Sequence, residues 1–152
     1  MLFVNVAPKT LEVDGLAGTS LVDAVQAAGL SPYQVVLEIK EHSPRRLKHV
    51  ASEISRLRDL GFKIALDNVG MGNANLLLLP IVRVDFVKLD RSIVADAARD
   101  RSALGVVEAV IAFARRTDAM VIAEGIETHA QLALVKRPQL RDEDPLAGVR
   151  GG

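Results

Sequence analysis

The chain has 152 residues, a hydrophobic fraction of 49% and a charged fraction of 25%, and its 19 basic residues balance its 19 acidic ones. This composition is typical of a folded domain with a sizeable core and excludes a disordered chain. The balanced charge provides no basic surface of the kind that binds nucleic acid polymers. Because the sequence has no cysteine, disulfides, zinc-thiolate sites and thiol catalysis are also excluded.

Neither a membrane span nor a signal peptide is evident in the sequence. The longest apolar runs, residues 76–82 and 106–114, are shorter than the roughly 18 to 20 residues that a span needs. The N-terminus lacks the basic segment and the long apolar segment of a signal peptide. We therefore expect a cytoplasmic protein. The chain opens almost directly in a strand, which favours its interpretation as a fragment.

The first half of the chain predicts three strands and two helices. The strands are expected at residues 2–6, 34–39 and 62–67, and the helices at residues 19–29 and 43–61. Ser43 is the expected N-cap of the second helix, Pro44 occupies its first position and Gly61 follows its last turn.

The second half continues the alternation. A turn or short helix at residues 73–79 is broken at Pro80 and is followed by strands at 84–90 and 119–125 and helices at 101–117 and 128–137. Thr128 is the expected cap of the last helix. The final segment is rich in proline, glycine and charge, which predicts a loose tail over residues 141–152 and a single domain over residues 1–140.

Five strands, each followed by a helix or turn, predict a parallel sheet covered by helices. The pattern fits a (β/α) barrel and an open doubly wound sheet equally well. In both architectures, functional residues gather at the carboxyl ends of the strands.

Polar residues occupy those strand ends throughout this chain: Asn5, Glu38, Asp67, Asn68, Lys88, Asp90, Glu124 and Glu127. Carboxylate and amide oxygens are ligands that suit Mg²⁺ or Mn²⁺. A lysine among them can hold a water molecule or neutralise a phosphate. The reaction class that this set favours is metal-assisted hydrolysis of a phosphodiester.

Local explanations compete with this interpretation for several residues. Asp67 is equally well placed to cap a following helix, and Glu41 and Glu127 match the preference for acids in a first helical turn. Lys88 is harder to explain locally, because a lysine inside an apolar strand is costly unless it meets a partner.

Five segments in order, "VNVAP", "VVLEIKE", "GFKIALDNVGMG", "VDFVKLDRSIV" and "VIAEGIET", resemble the EAL domain family of cyclic di-GMP phosphodiesterases. The resemblance covers about residues 2–137. It implies an α/β fold, a modified TIM-like (β/α)₈ barrel of which this chain supplies about five units. It further implies hydrolysis of cyclic di-GMP to linear pGpG, with two divalent metals, Mg²⁺ or Mn²⁺, as cofactors.

The resemblance also assigns roles to individual residues. It implies that the metal ligands are Asn5, Glu38, Asp67, Asn68 and Glu124. Lys88 matches the lysine that contacts the catalytic water or phosphate, and Glu124 matches an acid that helps to activate the water. Residues expected to stabilise a loop or to lie at the edge of the site are Glu41, Asp90 and Glu127.

The chain also departs from the family pattern. Asn68 stands where the family usually has a second metal-binding Asp, and Ala147 stands where its Gln-Gly-Tyr strand should begin. The strand with the Glu-Ala-Leu signature is absent. We therefore expect weak or no hydrolysis by this chain alone, with a non-catalytic cyclic di-GMP-binding or protein-interaction module as the alternative. An incomplete barrel also predicts a homo-oligomer or completion by another domain.

Overall fold

The computed structural model describes residues 1–6, 19–40, 47–70 and 75–136, without the side chains of residues 19, 75 and 76. Within these ranges five strands form one parallel sheet in which spatial order follows chain order. The strands are β1 (Leu2–Val6), β2 (Val35–Ile39), β3 (Lys63–Val69), β4 (Phe86–Leu89) and β5 (Met120–Ala123). The predicted parallel sheet is confirmed.

The described helices are α1 (Thr19–Ala27), α2 (Leu47–Asp59), α3 (Asn75–Leu78), α4 (Arg91–Ala97), α5 (Arg101–Thr117) and α6 (His129–Lys136), and a 3₁₀ turn (Pro32–Gln34) precedes β2. The predicted helices are confirmed to within a few residues at their ends. The expected caps Ser43 and Pro44 and the tail at 141–152 lie outside the described residues. Helix α4 was not predicted, because its two turns are too short to establish a helical period.

All of the described helices pack on one face of the sheet. The residues of β2, β3 and β4 that point to this outer face share a core with apolar residues from every helix; these strand residues are Val35, Leu37, Ile39, Ile64, Leu66, Val69, Val87 and Leu89. A doubly wound sheet would carry helices on both faces. Together with the uninterrupted strand order, this decides between the two predicted architectures in favour of the barrel type.

The other face of the sheet carries a smaller apolar layer. Alternate residues point inward, and this layer consists of Phe3, Val36, Ala65, Phe86 and Ile122. The rings of Phe3 and Phe86 meet edge to face with their centroids 5.4 Å apart, which links β1 to β4 across the concave surface.

Strand β3 contains a bulge that the sequence did not predict. The register of its pairing with β4 shifts between Leu66 and Val69. The strand ends at Val69 and not at Asp67, where the sequence predicted its end. Asn68 lies in the bulge with φ of 54°, a left-handed conformation that asparagine adopts more readily than most residues. A bulge re-aims the side chains beside it, and here these belong to the strand end that carries Asp67.

The amino ends of the middle strands are held by Asp85. Its carboxylate accepts a hydrogen bond from the Ile64 N–H at 2.9 Å and pairs with Arg58 of α2. Its backbone N–H donates to the Ile64 carbonyl, and its backbone carbonyl accepts from the Met120 N–H. These contacts fix β3, β4 and β5 relative to one another, so that their carboxyl ends meet in a defined register.

The two outer strands are less buried than the strands between them. Within the described residues β1 and β5 each pair on one side only, and Leu2 and Met120 expose 49% and 60% of their surfaces. The residues of β2 are all buried. The sheet is therefore an incomplete barrel with two edges. None of the helices in the described ranges is both long and apolar enough to cross a membrane.

Candidate functional site

The candidate site is a polar layer that lies directly above the inner apolar layer. On each strand one polar residue stands two positions after the strand's member of the inner apolar layer, so it points to the same concave face. These polar residues are Asn5, Glu38, Asp67, Lys88 and Glu124. These residues mark the carboxyl ends of all five strands. The structure brings four of them together, because Glu38, Asp67 and Glu124 all contact the ammonium of Lys88.

Lys88 is the centre of this layer. Its ammonium lies 2.8 Å from Glu38 Oε1, 2.8 Å from Glu124 Oε1 and 3.4 Å from Asp67 Oδ1. The Lys88 side chain is 11% exposed, Glu38 is 8% exposed and Asp67 is 3% exposed. Three buried or half-buried carboxylates therefore share one ammonium, which balances charges that would be costly to bury alone.

The electrostatic balance keeps Lys88 charged. Burial by itself lowers the pKa of this lysine, but the hydrogen bonds to Glu124 and Glu38 and the charges of Asp67 and Glu124 outweigh it. The net effect raises the pKa of Lys88 well above its ordinary value. The ammonium therefore remains a hydrogen-bond donor over the whole neutral range.

Asp67 meets a second lysine that the sequence analysis did not single out. Lys40 Nζ lies 3.0 Å from Asp67 Oδ2, and Oδ1 accepts a hydrogen bond of 2.8 Å from the Asn68 N–H. A signal for Lys40 was present in the sequence, because it follows Glu38 by two positions and so belongs to the same face.

The remaining predicted ligands occupy less central positions. Asn5 is exposed on β1 and pairs in register with Glu38. Asn68 is half-buried in the bulge, where its backbone orients the Asp67 carboxylate. Asn5 is therefore the member of the polar layer on the edge strand, and Asn68 stands beside the layer on β3.

The three residues predicted at the site's edge have different outcomes. Asp90 caps α4, with its carboxylate accepting a hydrogen bond of 2.8 Å from the Ser92 N–H. Glu127 is exposed before α6, and its backbone N–H donates to Gln131. Glu41 lies outside the described residues.

The donors fit a divalent metal in chemical type. Carboxylate oxygens surround the ammonium of Lys88, and Asn5 and Asn68 add amide oxygens on neighbouring strand ends; hard dications prefer oxygen ligands of these kinds. Within the part of the chain that the structure describes, no three acidic or histidine side chains form a ready metal site. The oxygens are arranged around the lysine ammoniums. A bound metal would therefore have to share these oxygens with the ammoniums.

A groove of about 510 Å³ lies at the opposite end of the strands. It is lined by residues 79–84, Phe113 and residues 116–118, which precede β4 and β5. Because it opens at the amino ends of these strands, it is remote from the polar layer and does not contribute to the candidate site.

Comparison with known proteins identifies the class to which this fold and site belong. The sequence profile of the EAL domain matches residues 1–138, and the chain belongs to the EAL domain family. It is 32% identical over 126 residues to the cyclic di-GMP phosphodiesterase NbdA of Pseudomonas aeruginosa. The matched region covers 80% of this chain and 16% of NbdA. The chain thus spans about one sixth of the length of this relative.

Solved structures agree with the fold. The EAL domain of Mycobacterium smegmatis DcpA superposes with a TM-score of 0.77 at 32% identity, covering 91% of this chain and 62% of that one. A manganese and cyclic di-GMP complex of Klebsiella pneumoniae BlrP1 superposes with a TM-score of 0.81 at 29% identity, covering 93% and 36%. The fold is therefore that of a TIM-like EAL barrel, and the BlrP1 structure shows one member of the family in complex with manganese and cyclic di-GMP.

Proposed function

We propose that this chain carries part of the catalytic centre of a metal-dependent phosphodiesterase that opens cyclic di-GMP to linear pGpG. The observation that supports it most directly is Lys88, held at the carboxyl ends of the strands by Glu38, Asp67 and Glu124. On this proposal residues 1–140 are the portion of an EAL domain that supplies these strand ends, and residues 141–152 are a tail.

The proposed metal ligands are Asn5, Glu38, Asp67, Asn68 and Glu124. Mg²⁺ or Mn²⁺, when bound, polarises a phosphoryl oxygen and lowers the pKa of a bound water. Lys88 donates a hydrogen bond to the phosphate or to the attacking water. Glu124, whose side chain is 41% exposed, accepts the proton of that water.

In this reaction the water oxygen forms a bond to phosphorus while one phosphorus–oxygen bond of the cyclic dinucleotide breaks. The departing ribose oxygen takes a proton and becomes a hydroxyl group. The second phosphodiester bond stays intact, which gives the linear product. Lys88 offsets the charge that develops on the phosphoryl oxygens in the transition state.

Two features of the chain favour weak turnover. An amide at Asn68 replaces a carboxylate, and amide oxygen is the poorer ligand for a dication. The ammoniums of Lys40 and Lys88 already offset much of the negative charge of the polar layer. These same features support the alternative of a non-catalytic module that binds cyclic di-GMP or a protein partner.

The decisive experiment incubates the purified chain with cyclic di-GMP and Mn²⁺ or Mg²⁺ and follows pGpG by chromatography. The proposal expects slow turnover that Lys88→Ala abolishes and Lys48→Ala, an exposed lysine on α2, leaves unchanged. Asn68→Asp should increase the rate. Tight binding of cyclic di-GMP without turnover, in both the natural chain and Asn68→Asp, would favour the non-catalytic module. If the folded protein shows no binding and no turnover, both the phosphodiesterase and the cyclic di-GMP-binding module are overturned.

A further inference from the structure

Lys40 directly follows β2 and continues the row of inward-pointing residues of that strand. Val36 belongs to the apolar layer, Glu38 to the polar layer, and Lys40 follows at the mouth of the concave face. Its side chain is 40% exposed, whereas that of Lys88 is 11% exposed. The site therefore has one deeply held ammonium within the polar layer and one above that layer that solvent reaches.

Asp67 is the carboxylate that both ammoniums share. Its Oδ2 atom lies 3.0 Å from Lys40 Nζ, and its Oδ1 atom lies 3.4 Å from Lys88 Nζ. A dication that binds Asp67 must therefore approach an oxygen that already has a cationic neighbour. Lys88 is held by two further carboxylates, Glu38 and Glu124, so Lys40 is the ammonium that can leave at lower cost.

We propose that Lys40 is a built-in counter-ion that competes with divalent metal for Asp67 and so sets the metal concentration at which this site fills. The inference rests on the proposed function only in taking Asp67 as a metal ligand. Half-exposed ion pairs contribute little stability, so a dication at sufficient concentration displaces Lys40 from the carboxylate. At low concentration Lys40 remains on Asp67 and the site holds no metal there.

The size of the effect follows from Coulomb repulsion. A displaced Lys40 leaves the Asp67 oxygen but stays attached to the strand end beside it. A dication and an ammonium about 6 Å apart repel strongly enough, even with water-like screening, to change a binding constant by about tenfold. Replacing Lys40 by the uncharged and similarly long methionine should therefore tighten metal binding by about tenfold or more. Retaining the charge as arginine should leave the weak binding of the natural chain.

The test is a Mn²⁺ titration, without nucleotide, in which electron paramagnetic resonance reports the free ion. The variants are Lys40→Met, Lys40→Gln, Lys40→Arg and Lys48→Met, which removes one positive charge from an exposed site on α2. We expect both neutral replacements of Lys40 to bind Mn²⁺ more tightly by about tenfold, and Lys40→Arg and Lys48→Met to behave as the natural chain does. Circular dichroism verifies that each variant is folded.

The proposal is overturned if neither Lys40→Met nor Lys40→Gln tightens binding, if Lys48→Met tightens it equally, or if no variant binds Mn²⁺. Adding Asp67→Asn to Lys40→Met must abolish the tighter Mn²⁺ binding. If the tighter binding persists in the double variant, the metal binds elsewhere and the proposal is also overturned. Failure here is distinguishable from failure of the proposed function. Cyclic di-GMP turnover by the natural chain can occur without the Lys40 effect, and tighter Mn²⁺ binding can occur without turnover.

Discussion

Asp90 shows how a polar residue at a strand end can serve the fold. The sequence placed it at the edge of the site, and the structure has its carboxylate capping α4 through the Ser92 N–H at 2.8 Å and the Ser92 hydroxyl at 2.6 Å. These two hydrogen bonds, with smaller contributions from the charges of Arg91 and Lys40, lower the pKa of Asp90 against the opposing effect of burial.

At this scale we predict that Asp90→Ala lowers the free energy of unfolding at pH 7 by about 1 kcal/mol, as loss of an N-cap does. Because the pKa of Asp90 is lower in the folded state, its stabilisation is fully present above its unfolded pKa, about 3.9, and is lost as the pH falls through its folded pKa. Urea unfolding at several pH values should therefore show the gap between natural chain and variant closing below about pH 4.

The matched control is Asp96→Ala, which removes an exposed acid from the same helix. This variant should unfold within about 0.5 kcal/mol of the natural chain, as exposed substitutions usually do. A gap between Asp90→Ala and the natural chain that stayed constant down to acid pH would contradict the capping role.

At the scale of elements, the connection from β5 to α6 passes very close to α4. Gly125 follows the site residue Glu124 with φ of +66°, and a Cβ atom there would lie 2.5 Å from Cβ of Arg91. Only glycine allows this approach without displacing one segment. By contrast, Gly105 lies within α5, where a Cβ atom would meet nothing within 4 Å.

We predict opposite effects for the same substitution at these two glycines. Gly125→Ala should destabilise the protein by about 1–3 kcal/mol because of strain and the contact with Arg91. Gly105→Ala should stabilise it by about 0.5–1 kcal/mol because alanine favours the helix. Thermal unfolding of both variants gives the comparison, and a Gly125→Ala protein as stable as the natural chain would show that the two segments do not approach so closely.

At the scale of the whole molecule, the described residues form a sheet with two edges and an inner surface lined by five strands. A sheet edge presents unpaired backbone groups that readily pair with another strand. Exposed apolar side chains accompany those edges: Leu2 and Phe3 on β1, and Met120 on β5. These observations support the proposal that the chain self-associates or is completed by another domain.

We predict that light scattering of the isolated chain gives a dimer or a larger species. Met120→Lys, which places a charge on the β5 edge, should shift the distribution towards monomer. Tyr33→Lys is the control, because Tyr33 is 65% exposed but lies in the 3₁₀ turn and not on an edge strand. A clean monomer of the natural chain at high concentration would be evidence against self-association.

The sequence by itself determined the order of strands and helices and most of the site. Alternation of strand and helix patterns predicted the parallel sheet, and parallel strands bring their carboxyl ends to one edge. The sequence alone therefore predicts that four residues meet, since each stands at or near the end of an apolar run: Glu38, Asp67, Lys88 and Glu124. A short helix such as α4 offered no comparable period.

Only the tertiary structure decided which face the helices cover, where β3 is bulged, and that Lys40 pairs with Asp67. The physical reason is that these features depend on distances between segments far apart in the chain. Because side chains alternate along a strand, the local sequence pattern fixes the face of the sheet to which each residue points. It does not fix which oppositely charged groups lie within 3 to 4 Å once neighbouring strands are in register, and that proximity sets the charge balance of the site.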